Sequence, residues 1–242
     1  MSVRGRRAWS IGVVIPAQNE AGTIVDCVQS VLAAADHSHC HGSIWIVVVA
    51  DGCEDETAEL ARRTIGPFGQ TLEIDVNSPG MARRAGATAV LDHFRGIEPD
   101  SIWLANTDAD SRVARDWIDV QLRLADQGVA GVAGIVHLAG DGPPHAAEVH
   151  RATYEIRDDG THPHVHGANI AVRGDAYLDV GGWSELRLAE DHCLWNRVRA
   201  RGWRVASPVT SIVVTSARLE GRASGGFADD LKAKILGLHA RN

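Results

Sequence analysis

Uninterrupted apolar runs alternate with amphipathic stretches through the first 110 residues. Ile11-Gly12-Val13-Val14-Ile15 has no polar position and stops at Pro16. From about Glu20 to Ala35 the apolar residues Ile24, Cys27, Val28, Val31 and Leu32 recur at helical spacing. Ile44 to Val49 is again apolar throughout, Asp55 to Thr64 predicts a helix, and Leu72 to Val76 a strand. Gly80 to Phe94 predicts a third helix and Ser101 to Ala105 a fourth strand. Strands that are apolar on both faces are covered on both faces, as in parallel sheets. The alternation predicts a doubly wound, mostly parallel α/β layer. Beyond residue 110 the pattern is less regular. It predicts a strand over 129–138, a helix over 145–157, a helix over 190–200 and a strand over 212–214.

In such a sheet ligands bind beyond the carboxyl ends of the strands. Those ends are polar here: Gln18-Asn19-Glu20, Asp51-Gly52, and Asn106-Thr107-Asp108-Ala109-Asp110. Three acidic strand ends on one rim point to a polar or metal-bound ligand, although Asp and Asn also cap helices. Asp108 and Asp110, two residues apart after a buried strand, can converge on one divalent cation. Carboxylate oxygens favour Mg²⁺ or Mn²⁺. Glu190-Asp191 opens a predicted helix, whose dipole stabilises a carboxylate there, ready to take a proton. Ordinary N-terminal capping accounts for the same pair.

Composition narrows the classes. The chain has 242 residues, 45% of them hydrophobic, which suits one α/β domain. The formal charge of −7 argues against a nucleic-acid partner. Cys27, Cys40, Cys53 and Cys193 show no metal or disulfide spacing, so they read as reduced thiols of a cytoplasmic protein. No signal-peptide pattern and no transmembrane run of about 18 apolar residues is present, and peripheral attachment to a membrane stays open.

Six segments, in order, resemble family 2 glycosyltransferases. Val13-Val14-Ile15-Pro16-Ala17-Gln18-Asn19-Glu20 is similar to the family's opening strand and loop. Val47 to Thr57 resembles its second strand, with Asp51-Gly52 and the trailing Asp55-Glu56-Thr57. Gly80-Met81-Ala82-Arg83-Arg84-Ala85-Gly86 is similar to its Gly-x-Ala-Arg-Asn-x-Gly start. Asp108-Ala109-Asp110 stands at its Asp-x-Asp position. Gly181-Gly182-Trp183 and Glu190-Asp191-His192-Cys193-Leu194-Trp195 match its Gly-Gly-Phe and Glu-Asp-x-x-Leu signatures.

The resemblance implies a GT-A fold, Rossmann-like, with a smaller acceptor-side subregion. It implies a nucleotide-sugar donor of the UDP or GDP type, a small-molecule, glycan or lipid-linked acceptor, and inversion at the anomeric carbon. Residues 10–110 would form the nucleotide-binding half and 111–215 the acceptor half, with 216–242 a flap and C-terminal helix. Pro16, Ala17, Glu20 and Asp51 would hold the nucleoside, with Arg83 near the base or ribose. Asp108 would approach ribose and metal, Asp110 would ligate the metal, and Asp191 would be the general base beside Glu190. The segment around His166, Gly167 and Asn169 would border the acceptor.

There are departures. Arg84 replaces the usual Asn, and Val214-Thr215-Ser216-Ala217-Arg218 has no metal-binding His. Arg218 and Arg222 could instead neutralise the diphosphate, guanidinium being matched to phosphate oxygens. The glycines at 221, 225 and 226 fit either a closing flap or a plain connector. Trp183 could stack on a sugar or pack in the core. The tract His37-Ser38-His39-Cys40-His41 lies away from the strand ends and reads as a connection. A sugar-phosphate nucleotidyltransferase or a non-catalytic nucleotide-binding protein would share the layer. The first of these needs a Gly-rich basic loop after the first strand, which Pro16 to Glu20 does not supply.

Overall fold

The computed structural model describes residues 8–38, 43–140, 142–143, 145–186, 188–218, 231–233 and 235. Strands β1 (Ser10–Ala17), β2 (Ser43–Asp51), β3 (Gly69–Ile74) and β4 (Ile102–Asn106) alternate with helices α1 (Ile24–His37), α2 (Thr57–Ile65) and α3 (Pro79–His93). They pair in parallel, in the order β3-β2-β1-β4. The sheet continues through β8 (Ile170–Arg173), antiparallel to β4, then β6 (Gly131–Ala133) and β9 (Val205–Ala206), making seven strands. A second sheet joins β5 (Ser111–Val113), β10 (Ile212–Thr215) and β7 (Ile135–Leu138).

The period-2 geometry of β1 explains how the layer is filled. Ile11, Val13 and Ile15 face α1, α2 and helix α4 (Trp117–Asp126). Val14 faces α3 together with helices α6 (Gly174–Asp179) and α7 (Glu190–Ala200). The contact between α3 and β1 is close because Gly12 and Gly86 lack side chains: a Cβ at Gly12 would overlap Val90, and one at Gly86 would overlap Val14. Helix α5 (Ala146–Thr153) contributes Ala146 and Val149 to a satellite cluster with Ala217, Leu231 and Ile235.

The expected strand over 72–76 lies instead at 69–74. Beyond Ile74 the chain leaves the sheet because the Asp51 carboxylate captures the backbone N–H groups of Val76, Asn77 and Ser78. The expected strand over 129–138 divides at Gly134 between the two sheets. Helix α4 gave no periodic signal because it is buried nearly all round, from Trp117 to Leu122 and at Ala125. Among the described residues, no helix is long and apolar enough to cross a membrane.

Candidate active site

The rim beyond β1 and β2 is held together mainly by side-chain caps on backbone groups. Beyond Pro16 and Ala17, Asn19 adopts a left-handed φ of 53° and its side chain accepts from the Glu54 N–H at 2.8 Å. The Glu20 N–H donates to Thr57 Oγ1 at 2.7 Å. Asp51, 4% exposed, accepts three backbone N–H bonds of 2.7–2.9 Å from residues 76–78. The structure therefore gives Asp51 the task of fixing the β3–α3 loop. Next to it opens a cavity of about 310 Å³ lined by residues that include Gly52, Cys53, Glu54 and Asp75.

At the end of β4, Ala109 turns into the core and leaves Asp108 and Asp110 on the rim. Asp110 is the more enclosed. Its carboxylate meets Arg218 at 3.0 Å and accepts from Thr215 Oγ1 at 3.2 Å. Arg218 also binds Glu20 at 2.6 Å, so one guanidinium bridges the β1 loop and the acidic triplet. Burial, then the neighbouring Asp108 charge, push Asp110 up to about 6 despite Arg218. Burial alone would lower Arg218, but Asp110 and Glu20 outweigh it and raise it. Beneath the triplet, the buried Cys27 thiol donates to the Asp108 carbonyl at 3.2 Å. Thr215, hydrogen-bonded to Ser111 at 2.9 Å, was invisible as a partner in the sequence because only the β10–β5 register brings it to Asp110.

The third centre is Arg83, near the start of α3. Its guanidinium is 4% exposed and binds Asp108 at 2.6 Å and Glu190 at 2.5 Å. Trp183 lies over it, 5.4 Å from ring centroid to guanidinium carbon. Burial would lower its pKa, but Asp108, Glu190 and Asp191 prevail and raise it. Burial pushes Glu190 up, and the Arg83 charge opposes this. Ala189, in the left-handed region at φ 56°, turns the chain into α7. The Asp191 carboxylate then accepts from its own turn, His192 N–H at 2.7 Å, and from Gly167 N–H at 2.8 Å.

The structure thus brings together Glu20, Asp110 and Arg218 in one cluster, and Arg83, Asp108, Glu190, Asp191 and Gly167 in another. Other expectations are corrected. Arg83, expected near the base or ribose, is 3% exposed and turns one donor of each terminal nitrogen to a carboxylate, Glu190 and Asp108. Asn169 does not face an acceptor: it is fully buried and bonds Trp117, Ile135 and Ser211 at 2.8–2.9 Å. Trp183, 1% exposed, has no face for a sugar. His166 stacks with His164 at 6.1 Å and with Tyr154 at 6.0 Å. Burial and then the neighbouring histidines drive its pKa down to about 3, which makes it neutral at pH 7. Arg84 pairs with Glu185 at the surface, at 3.5 Å. Arg222, the glycines at 221, 225 and 226, and residues 39–41 lie outside the described residues.

The sequence model of the family described as "Glycosyltransferase like family 2" matches residues 8–224. No curated protein matches the chain. Among solved structures it is similar to a mannosyltransferase from Pyrobaculum calidifontis in complex with GDP-Man and Mn²⁺. That match has 18% identity and a TM-score of 0.66, covering 97% of this chain and 65% of the other. It is also similar to S. aureus TarS 1-349 in complex with UDP-GlcNAc, with 15% identity and a TM-score of 0.63, covering 96% of this chain and 66% of that one. A third, GalNAc-T7 with UDP, GalNAc and Mn²⁺, gives 16% identity and a TM-score of 0.63 over 90% of this chain and 45% of that one. The chain therefore spans less than two thirds of the length of these three proteins.

Proposed function

The chain belongs to glycosyltransferase family 2, and we propose that it moves a sugar from a UDP- or GDP-linked donor to an acceptor hydroxyl with inversion. It is a glycosyltransferase with the GT-A fold of its solved neighbours. The observation that carries the finer reading is the arrangement of two acidic centres on one rim. Asp108-Ala109-Asp110 at the end of β4 and Glu190-Asp191 at the start of α7 are joined by Arg83. Residues 10–110 supply the donor half and 111–215 the acceptor half of this one site. The nucleotide sugars seen in the neighbouring structures support a donor of that class.

Asp108 and Asp110 offer hard oxygen donors suited to Mg²⁺ or Mn²⁺. Among the described residues no group of three His, Cys, Asp or Glu side chains forms a metal cage. Asp110 would hold such an ion, with Asp108 beside it. When bound, such an ion neutralises charge on the departing diphosphate. Arg218 adds a fixed positive charge at the same edge, paired with Asp110 and Glu20 until a diphosphate competes for it. Pro16 and Ala17 border the nucleoside, and Asp51 holds the β3–α3 loop on the same rim.

Asp191 is the base. Its two hydrogen bonds leave carboxylate lone pairs free, and both come from backbone groups that fix its orientation. The acceptor hydroxyl forms the new bond to the anomeric carbon, its proton passes to Asp191, and the bond to the diphosphate oxygen breaks. A general base contributes about 10²- to 10⁴-fold to rate. Asp191→Asn is therefore expected to lose about that much turnover while UDP- or GDP-sugar binding, measured by calorimetry with Mn²⁺, survives. Donors are first identified by thermal shift across both nucleotide classes. Full turnover in Asp191→Asn sinks the base assignment, and a product linkage of retained configuration, read by proton NMR, sinks inversion.

A further inference from the structure

We propose that Arg83 is the positioning residue of this site. It ties the donor-side carboxylate Asp108 to the base-carrying turn through Glu190 and Gly167, and takes no part in reading the donor. The inference rests on the reading of Asp191 as base.

Three elements meet at this guanidinium: the N-terminal part of α3, the β4–β5 turn and the start of α7. Asp108 and Glu190 are 82 residues apart in sequence, yet each takes one terminal nitrogen of the same side chain, at 2.6 and 2.5 Å. Only a planar fork serves two carboxylates in fixed directions at once, whereas an ammonium is a point charge. The remaining faces are closed. Trp183 covers one side. Gly167 abuts another so closely that a Cβ there would overlap the guanidinium. The same Gly167 donates its N–H to Asp191 at 2.8 Å. The guanidinium thus sets where the 167 backbone sits, and that backbone sets the base. A charged group sealed on all sides is unsuited to gripping a ligand that comes and goes. It suits a part whose geometry the chemistry depends on.

The test compares Arg83→Met, Arg83→Lys, Gly167→Ala and Asp191→Asn with the unaltered protein. Turnover at saturating donor is read alongside donor Kd by calorimetry. A small misplacement of reacting groups costs about 100-fold in rate, so Arg83→Met and Gly167→Ala are expected to lose about that much kcat, with donor Kd within about threefold in Gly167→Ala and a loss of donor affinity smaller than the loss of kcat in Arg83→Met, where Asp108 loses its partner. Arg83→Lys is expected to stay within about tenfold of Arg83→Met, because the charge returns without the fork. Weakened donor binding with kcat intact in Arg83→Met would show a donor-reading residue and overturn the proposal. Full activity in Arg83→Lys overturns it too. If circular dichroism shows Arg83→Met unfolded, Gly167→Ala decides, since it leaves every charge in place; wild-type kcat there refutes the coupling. Asp191→Asn separates the two failures. If it remains active, the base reading falls. If it is inactive while Arg83→Met and Gly167→Ala turn over normally, only the role of Arg83 falls.

Discussion

Replacing Asp110 by asparagine removes a negative charge from a place where the fold makes it costly. The carboxylate is 11% exposed, and burial followed by the Asp108 charge raises its pKa from the ordinary 3.8 to about 6, even with Arg218 beside it. A raised value means that the folded state prefers the protonated form. The stabilising contribution of this group is complete below pH 3.8 and is lost as pH rises through about 6. Each pH unit between those values is worth about 1.4 kcal/mol, which puts the cost of ionised Asp110 at about 3 kcal/mol at neutral pH. Asparagine keeps the shape and carries no charge. Asp110→Asn is therefore expected to be more stable than the parent at pH 7.5 by up to about 3 kcal/mol. That is a rise in Tm of up to roughly 6–12 °C for a chain of this size. The gain should shrink as pH falls through 6 and vanish near 4. Thermal unfolding in EDTA across pH 4–8 reads it directly. Equal or lower stability at pH 7.5, or a gain independent of pH, refutes the reasoning. With Mn²⁺ and UDP or GDP added, the order reverses: the parent gains Tm by binding and the variant does not.

Three other changes probe the fold around the site. Gly12→Ala forces a methyl into Val90 at the α3–β1 contact and should cost about 1–3 kcal/mol in urea unfolding, in contrast to an alanine at Gly22, where nothing lies nearby. Trp183→Ala should cost about 3–5 kcal/mol through the cavity it leaves; acceptor KM rising with stability unchanged would restore the sugar-stacking role. The Cys27 thiol, raised by burial and by Asp108 and Asp110, should resist iodoacetamide at pH 8 in the folded protein and react on unfolding. Mass-spectrometric labelling of Cys27 before Cys53 and Cys193 in the native state contradicts that burial.

The strand–helix order to residue 110 was legible because β1, β2 and β4 are apolar on both faces and polar clusters fall where those strands must end; β3, with Gln70, Thr71 and Glu73 among its residues, carries the weaker pattern, and its bounds shifted. The helix over 190–200 was legible for a similar local reason, an acidic pair heading an apolar stripe. Helix α4 escaped because a helix buried all round has no stripe, and β5, β8 and β9 because two to four residues carry no period. At the site, burial decided what residue type left open. Trp183 and Asn169 are residue types that serve sugars and cores equally well, and only their enclosure settles which.

Residue identity by itself determined the chemistry on offer: carboxylates at Asp108, Asp110, Glu190 and Asp191, guanidinium groups at Arg83 and Arg218, and a sheet to carry them. It could not determine who pairs with whom, since partners such as Glu20 and Arg218 lie far apart along the chain and charge–charge contact depends on distance in space. The tertiary structure decided that Arg83 joins Asp108 to Glu190, that Arg218 sits on Asp110, and that Gly167 lends its N–H to Asp191. Those choices follow from strand register and close helix packing, which no local pattern encodes.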